Sequence, residues 1–169
     1  MSIGFRRLTE GDLRLLHDWL EREHVRRWWS KHETYEDVVD HYLPAIEGRD
    51  PTELYAILLE EAPAGLIQTY LVEDHPEYHE LVQVEAGVAG VDLFLAEENL
   101  IGRGFGTEIL ERFVHEVVLS VQSTHACIAD PDAQNIASLR AFEKAGFRRI
   151  CEFVDPNDRR THTLVRFDR

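Results

Sequence analysis

The chain has 169 residues, enough for one α/β domain with a sizeable core and too few for two comfortable ones. Its 44% hydrophobic content is that of an ordinary globular protein, and its formal net charge of −14 argues against nucleic acid or an anionic membrane as partner, since both need a basic footprint. The same charge suits a cationic small-molecule ligand and is equally compatible with plain solubility. No apolar run reaches the ~20 residues that span a bilayer. The segment Met1-Ser2-Ile3-Gly4-Phe5-Arg6 lacks the apolar stretch of a signal peptide, and Cys127 and Cys151 lack C-x-x-C spacing. The expectation is a cytoplasmic protein without disulfides. Repeats, low-complexity tracts and Pro/Ser-rich linkers are absent, so residues 1–169 read as a single domain.

A short strand is predicted over Ile3–Leu8. Thr9-Glu10-Gly11-Asp12 reads as a capping box opening a helix that turns Leu13, Leu16, Trp19 and Leu20 to one face. Thr34-Tyr35-Glu36-Asp37 opens a second helix, with Val38, Val39, Tyr42 and Ile46 inward. Strands follow at Leu54–Leu59 and Ala64–Val72, separated by Glu60-Glu61-Ala62-Pro63, and then an acidic loop over Glu73–Glu85. The strand Gly87–Leu95 leads into a glycine-rich turn and a long amphipathic helix. In that helix Phe105, Ile109, Phe113 and Val117 line up beside Leu110, Val114 and Val118. A strand at His125–Ala129 passes through Asp130-Pro131-Asp132 to a helix ending near Ala145, with Gly146 at the position after the cap. Two strands, Phe147–Val154 and Thr161–Phe167, flank a turn at Asp155-Pro156-Asn157-Asp158. This order of strands and helices predicts an α/β sheet protein.

Two segments carry recognisable chemistry. In Ile101-Gly102-Arg103-Gly104-Phe105-Gly106-Thr107, three glycines at alternating positions keep side chains away, so backbone N–H groups can close around an anion. The following helix points its positive end at the same place, and a pyrophosphate is the natural ligand. Glycines needed only for a turn are the competing explanation. Neither G-x-G-x-x-G nor a P-loop is present. The second segment is Asn135-Ile136-Ala137-Ser138-Leu139-Arg140-Ala141-Phe142-Glu143-Lys144-Ala145-Gly146-Phe147. Asp92 stands apart as an ionisable residue in an otherwise apolar strand, where a carboxylate needs either a partner or a purpose.

Together the glycine loop and the Asn135–Phe147 segment resemble the two cofactor segments of GNAT acetyltransferases. The resemblance implies a single GNAT-like α/β (α+β) domain, with a central mixed, mostly antiparallel sheet flanked by helices. It also implies acetyl-coenzyme A as cosubstrate. The amides of Gly102, Arg103, Gly104, Phe105, Gly106 and Thr107 would hold the pyrophosphate. Leu93, Phe94 and Leu95 would lie along the pantetheine arm, and Asn135, Ser138 and Phe142 would pack beside it. Two positions depart from the pattern: Ile101 stands where Gln or Arg is common, and Phe142 stands where many members carry a tyrosine suspected of protonating the leaving thiolate.

His24-Val25-Arg26-Arg27-Trp28-Trp29, Gln68-Thr69-Tyr70, Gly90-Val91-Asp92 and Asp130-Pro131 are similar, in order, to segments of the aminoglycoside 6'-N-acetyltransferases. That narrower resemblance implies that Trp28 and Trp29 wall a substrate cleft, although either one taken singly reads more readily as a core residue. It places Gln68 and Tyr70 at the substrate and makes Asp92 the carboxylate that deprotonates the amine. Glu73, Asp74, Glu80, Glu85 and Asp130 would receive the other ammonium groups. The expected function is acetyl transfer from acetyl-coenzyme A to the 6'-amine of an aminoglycoside, hence antibiotic resistance, by a monomer or homodimer. Hydroxylysine acetylation in siderophore assembly and a non-catalytic coenzyme A sensor are the rival readings. His75-Pro76-Glu77-Tyr78-His79 lacks H-E-x-x-H, so no metal is expected, and Ser123-Thr124-His125 lacks the elbow of a hydrolase.

Overall fold

A computed structural model describes residues 1–29 and 32–169. Seven strands form one sheet: β1 (Ile3–Arg7), β2 (Glu53–Leu59), β3 (Ala62–Leu71), β4 (Val88–Leu95), β5 (Ala126–Ala129), β6 (Arg148–Val154) and β7 (Thr161–Asp168). The sheet order is β1-β2-β3-β4-β5-β7-β6. The pairs β1-β2, β2-β3, β5-β7 and β7-β6 are antiparallel, and β4-β5 is parallel. The helices are α1 (Leu13–Leu20), α2 (Glu23–Arg26), α3 (Tyr35–Ile46), α4 (Pro76–Val82), α5 (Phe105–Glu116) and α6 (Ile136–Lys144). By its internal contacts the chain divides into one unit of residues 1–70 and 92–100 and another of 71–91 and 101–169.

In the first unit the sequence boxes do what their chemistry predicts. The Thr34 hydroxyl accepts from the Asp37 N–H at 3.2 Å while the Asp37 carboxylate accepts from the Thr34 N–H at 2.9 Å, which fixes the start of α3. Ahead of α1 a 3-10 turn intervenes, and there the Thr9 N–H (2.8 Å) and the Thr9 hydroxyl (3.0 Å) both donate to the Asp12 carboxylate. Leu13, Leu16, Trp19 and Leu20 of α1 then pack with Val38, Tyr42 and Ala45 of α3 and with Leu54, Ala56 and Leu66 of the strands. The β2–β3 connection is tighter than expected. Only Glu60 and Glu61 lie outside the strands, both at positive φ (49° and 67°), as a two-residue hairpin turn requires. Ala62 and Pro63 already belong to β3.

In the second unit Ile109, Leu110, Phe113 and Val114 of α5 are buried, as the apolar rows predict. Val117 and Val118 fall past the helix, at its cap and in a following 3-10 turn. Helix α6 stops where Gly146 turns left-handed (φ 98°): the Gly146 and Phe147 N–H groups donate to the Glu143 and Phe142 carbonyls, each at 3.0 Å. The acidic segment Glu73–Glu85 departs from its prediction as a loop, because residues 76–82 form α4. Pro76 sits at the first helical position, where its missing N–H costs nothing, so it starts this helix rather than breaking it.

Candidate active site

In the first unit, the Ala96 N–H donates to the Ala64 carbonyl at 2.8 Å. Four residues along β3 from Ala64 and four back along β4 from Ala96 lie Gln68 and Asp92. Their side chains meet, with Gln68 Nε2 donating to Asp92 Oδ2 at 3.1 Å. Asp92 thus has a partner, and both residues are half-buried. Two residues further on the same face of β4, Phe94 makes T-shaped contacts with Trp29 (centroids 4.9 Å apart) and Trp19 (6.2 Å). Trp29 Nε1 donates to the buried Tyr42 hydroxyl at 3.1 Å. Burial pushes the Tyr42 phenol well above its usual range, and the charges of Glu33 and Asp92 add to the effect. Trp29 is half-buried and packs against the core of the first unit, and Trp28 is half-buried with the Arg27 guanidinium 4.8 Å from the centre of its ring. Tyr70, also half-buried, follows Gln68 on the same face of β3.

The end of β4 is held from α2 and its approach. His24 Nε2 lies 2.9 Å from the Leu95 carbonyl, and since a carbonyl only accepts, that nitrogen carries the proton. Arg22 donates to the Ala96 carbonyl at 2.8 Å and pairs with Glu97. A Cβ at Gly65 would stand 2.2 Å from the Phe94 carbonyl, so only glycine lets β3 approach so closely there. Leu93, Phe94 and Leu95 are half-buried, and the β4–β5 ladder ends at Gly90 paired with Ile128, five residues short of the end of β4.

In the second unit the three loop glycines divide into two kinds. Gly102 and Gly104 have φ of 77° and 86°, and a Cβ at either would meet nothing within 4 Å. Their conformation demands glycine while the space beside them stays open. Gly104 caps α5 without any side-chain acceptor, leaving the first-turn amides of Phe105, Gly106 and Thr107 for an outside acceptor. Gly106 differs: a Cβ there would touch the Ala141 Cβ at 3.4 Å, so its role is the close approach of α5 to α6. Arg103 is exposed, its guanidinium 5.2 Å from the Phe105 ring centre. On α6, Asn135 Oδ1 accepts from the Ser138 N–H at 3.2 Å, so Asn135 first caps its own helix. Phe142 is buried, edge-on to Phe147 at 5.0 Å.

The five acidic residues separate by partner. Glu85 forms a bidentate pair with Arg166 (2.7 and 3.0 Å), which lowers its pKa to about 2. Glu73 accepts from the Gly87 N–H at 2.7 Å. Asp130 accepts from the Tyr78 hydroxyl at 2.7 Å and pairs with His162 Nδ1 at 3.1 Å. Asp74 and Glu80 are exposed and pair with no ion among the described residues.

His162, which the sequence analysis did not single out, joins this group through the β5–β7 register: Ala129 pairs with Val165, and the Thr163 N–H donates to the Pro131 carbonyl, bringing His162 alongside Asp130. Its other nitrogen reaches Asp158 at 2.7 Å and Asp155 at 3.9 Å. The bond to Asp130 pushes the imidazole up to about 10, against the opposing effect of burial. Potential ligand atoms of Asp130, Asp155 and His162, and of Asp132, Asp158 and His162, lie within 4.8 Å of one another. Both ring nitrogens face acceptors, Nδ1 the Asp130 carbonyl and carboxylate and Nε2 the Asp158 carboxylate, the arrangement of an ion-paired imidazolium.

A model of the acetyltransferase (GNAT) domain matches residues 9–155. Aminoglycoside N(6')-acetyltransferase type 1 of Klebsiella pneumoniae is 32% identical over 159 residues, covering 92% of this chain and 79% of that protein. The protein of the same name from Serratia marcescens aligns with the same figures. The solved aminoglycoside acetyltransferase AAC(6')-Ib, in complex with coenzyme A and kanamycin, has a TM-score of 0.90 at 29% identity, covering 99% of this chain and 95% of that one. The chain belongs to the GNAT acetyltransferase family, in the branch of the aminoglycoside 6'-N-acetyltransferases.

Proposed function

We propose that the protein acetylates the 6'-amine of aminoglycosides with acetyl-coenzyme A as donor, and so confers resistance to them. One observation carries the reading: the whole chain shares its fold with AAC(6')-Ib solved with coenzyme A and kanamycin, and relatives covered over 79% of their length act on the same position. The residues present fit the donor. Open space beside Gly102 and Gly104 and the unclaimed amides that follow make a cradle for a pyrophosphate. When bound, acetyl-coenzyme A supplies an acyl carbon already activated as a thioester.

The protein's own part is to orient and deprotonate the acceptor. An amine attacks only when neutral, and aminoglycoside amines are largely protonated near neutral pH. Asp92, directly or through one water, takes that proton. Trp29 and Phe94 give the approach an apolar wall, which strengthens electrostatic interactions beside it. Leu93, Phe94 and Leu95 offer strand-like backbone beyond the end of the β4–β5 ladder, suited to an extended amide-bearing arm. Phe142 places no proton donor on α6, and a thiol of pKa about 8.5 needs little help to leave. With Glu73, Glu85 and Asp130 already partnered, capture of further ammonium groups falls mainly to Asp74 and Glu80 and to the overall field of the −14 charge. Thiol release from acetyl-coenzyme A, measured with kanamycin, with ribostamycin, with hydroxylysine and with no acceptor, tests the proposal. Release confined to the aminoglycosides is expected, whereas preference for hydroxylysine, or no release at all, overturns it.

A further inference from the structure

We infer that Gln68 is a positioning residue for the base rather than a substrate contact: its side-chain amide holds the Asp92 carboxylate in the orientation that receives the amine proton. The inference rests on the assignment of Asp92 as base. Gln68 Nε2 lies 3.1 Å from Asp92 Oδ2, and the identity of that atom follows from chemistry. An ionised carboxylate only accepts, so the amide nitrogen must face it; the flipped amide would set two acceptors against each other.

The contact also has the right rigidity. Gln68 and Asp92 face each other from neighbouring strands, where opposed side chains on one face stand close enough to act as a pair. Ala64 and Ala96 pin those strands by a backbone bond, and Gly65 allows the close approach to Phe94. A carboxylate on such a frame still rotates about its own bonds. A donor anchored on the adjacent strand removes that freedom and stabilises the ionised form.

Among the described residues, two titratable groups bear on Asp92 through α3 and its approach. Tyr42 of α3 lies near enough to feel its charge, and so does Glu33 ahead of α3, which pairs at 3.4 Å with His41. Tyr42 is neutral through the working pH range, because burial holds its proton. Glu33 and His41 stay in place in the variants below, so differences between variants report on Gln68.

The test is the pH dependence of kcat/KM and of kcat for Gln68→Met, which keeps the length and loses the donor, and for Gln68→Glu, which keeps the shape and turns the donor into a second carboxylate. Coenzyme A affinity by calorimetry and the thermal midpoint verify that each variant is folded. Loss of the donor is expected to move the acid limb of kcat/KM to higher pH by about one unit, and further in Gln68→Glu, where two carboxylates face each other. Plateau kcat is expected to fall about 10- to 100-fold with little change in the aminoglycoside KM. In an Asp92→Asn background, Gln68→Met should cost almost nothing more, since it acts through Asp92. A raised aminoglycoside KM with kcat and the acid limb unmoved in both variants makes Gln68 a substrate contact and overturns the inference alone. Near-normal kcat in Asp92→Asn overturns the base assignment and the inference with it.

Discussion

His162 makes the most quantitative prediction. Its side chain is 12% exposed and lies between Asp130 on one side and Asp158 and Asp155 on the other. The bond to Asp130, with a smaller contribution from Asp158, raises its pKa from 6.5 to about 10, while burial works against the rise. A folded-state pKa above the unfolded value means that the folded protein holds the proton more tightly. The resulting stability is present in full below pH ~6.5 and disappears as pH climbs through about 10. At 1.36 kcal/mol per pKa unit the whole effect is ~4–5 kcal/mol at most, and ~2–3 kcal/mol of it should vanish between pH 7 and 9. His162→Gln removes the titration. Urea unfolding of parent and variant at several pH values from 6.5 to 9.5 isolates it, because every other titrating group is common to both. The parent's advantage should shrink steadily across this range. An advantage that stays constant above pH 7.5 would mean an ordinary, neutral histidine and would refute the ion-paired imidazolium.

Four further outcomes are expected. Asp92→Asn keeps the shape and removes the base, so steady-state kcat should drop ~10²–10⁴-fold while coenzyme A binding by calorimetry persists. Gly104→Ala forces an alanine to φ 86° in open space, costing about 1–2 kcal/mol of backbone strain and weakening coenzyme A binding. Gly106→Val instead drives methyl groups into Ala141 and should show mainly as a loss of ~1–3 kcal/mol in thermal or urea unfolding. The aminoglycoside KM should rise with ionic strength, because attraction between exposed charges is screened over ~8–10 Å at physiological salt. A flat KM from low to high salt, measured kinetically, would remove electrostatic capture from the reading.

Much of the molecule was legible in order along the chain because its signals are local. The Thr9 and Thr34 boxes, the apolar rows of α1, α3 and α5, and Gly146 after α6 each specify a helix end or face through bonds within a few residues. The paired motifs at Gly102–Thr107 and Asn135–Phe147 pointed to the family in the same way, and Asp92 stood out as a charge among apolar neighbours. Partners were another matter. Whether an acidic residue is available to a ligand depends on which cation the fold brings beside it. Glu85 is claimed by Arg166, 81 residues away, and Asp130 by His162, 32 away. The sheet register decided these pairings, as it set Gln68 against Asp92. The separate tasks of the glycines also needed the third dimension. Gly102 and Gly104 are required by their own φ, which the loop imposes, while Gly106 is required by a methyl group on another helix. Sequence alone thus determined which residues make the elements and which carry charge. Tertiary structure decided which charges are already satisfied, because that depends on distances between residues far apart in the chain.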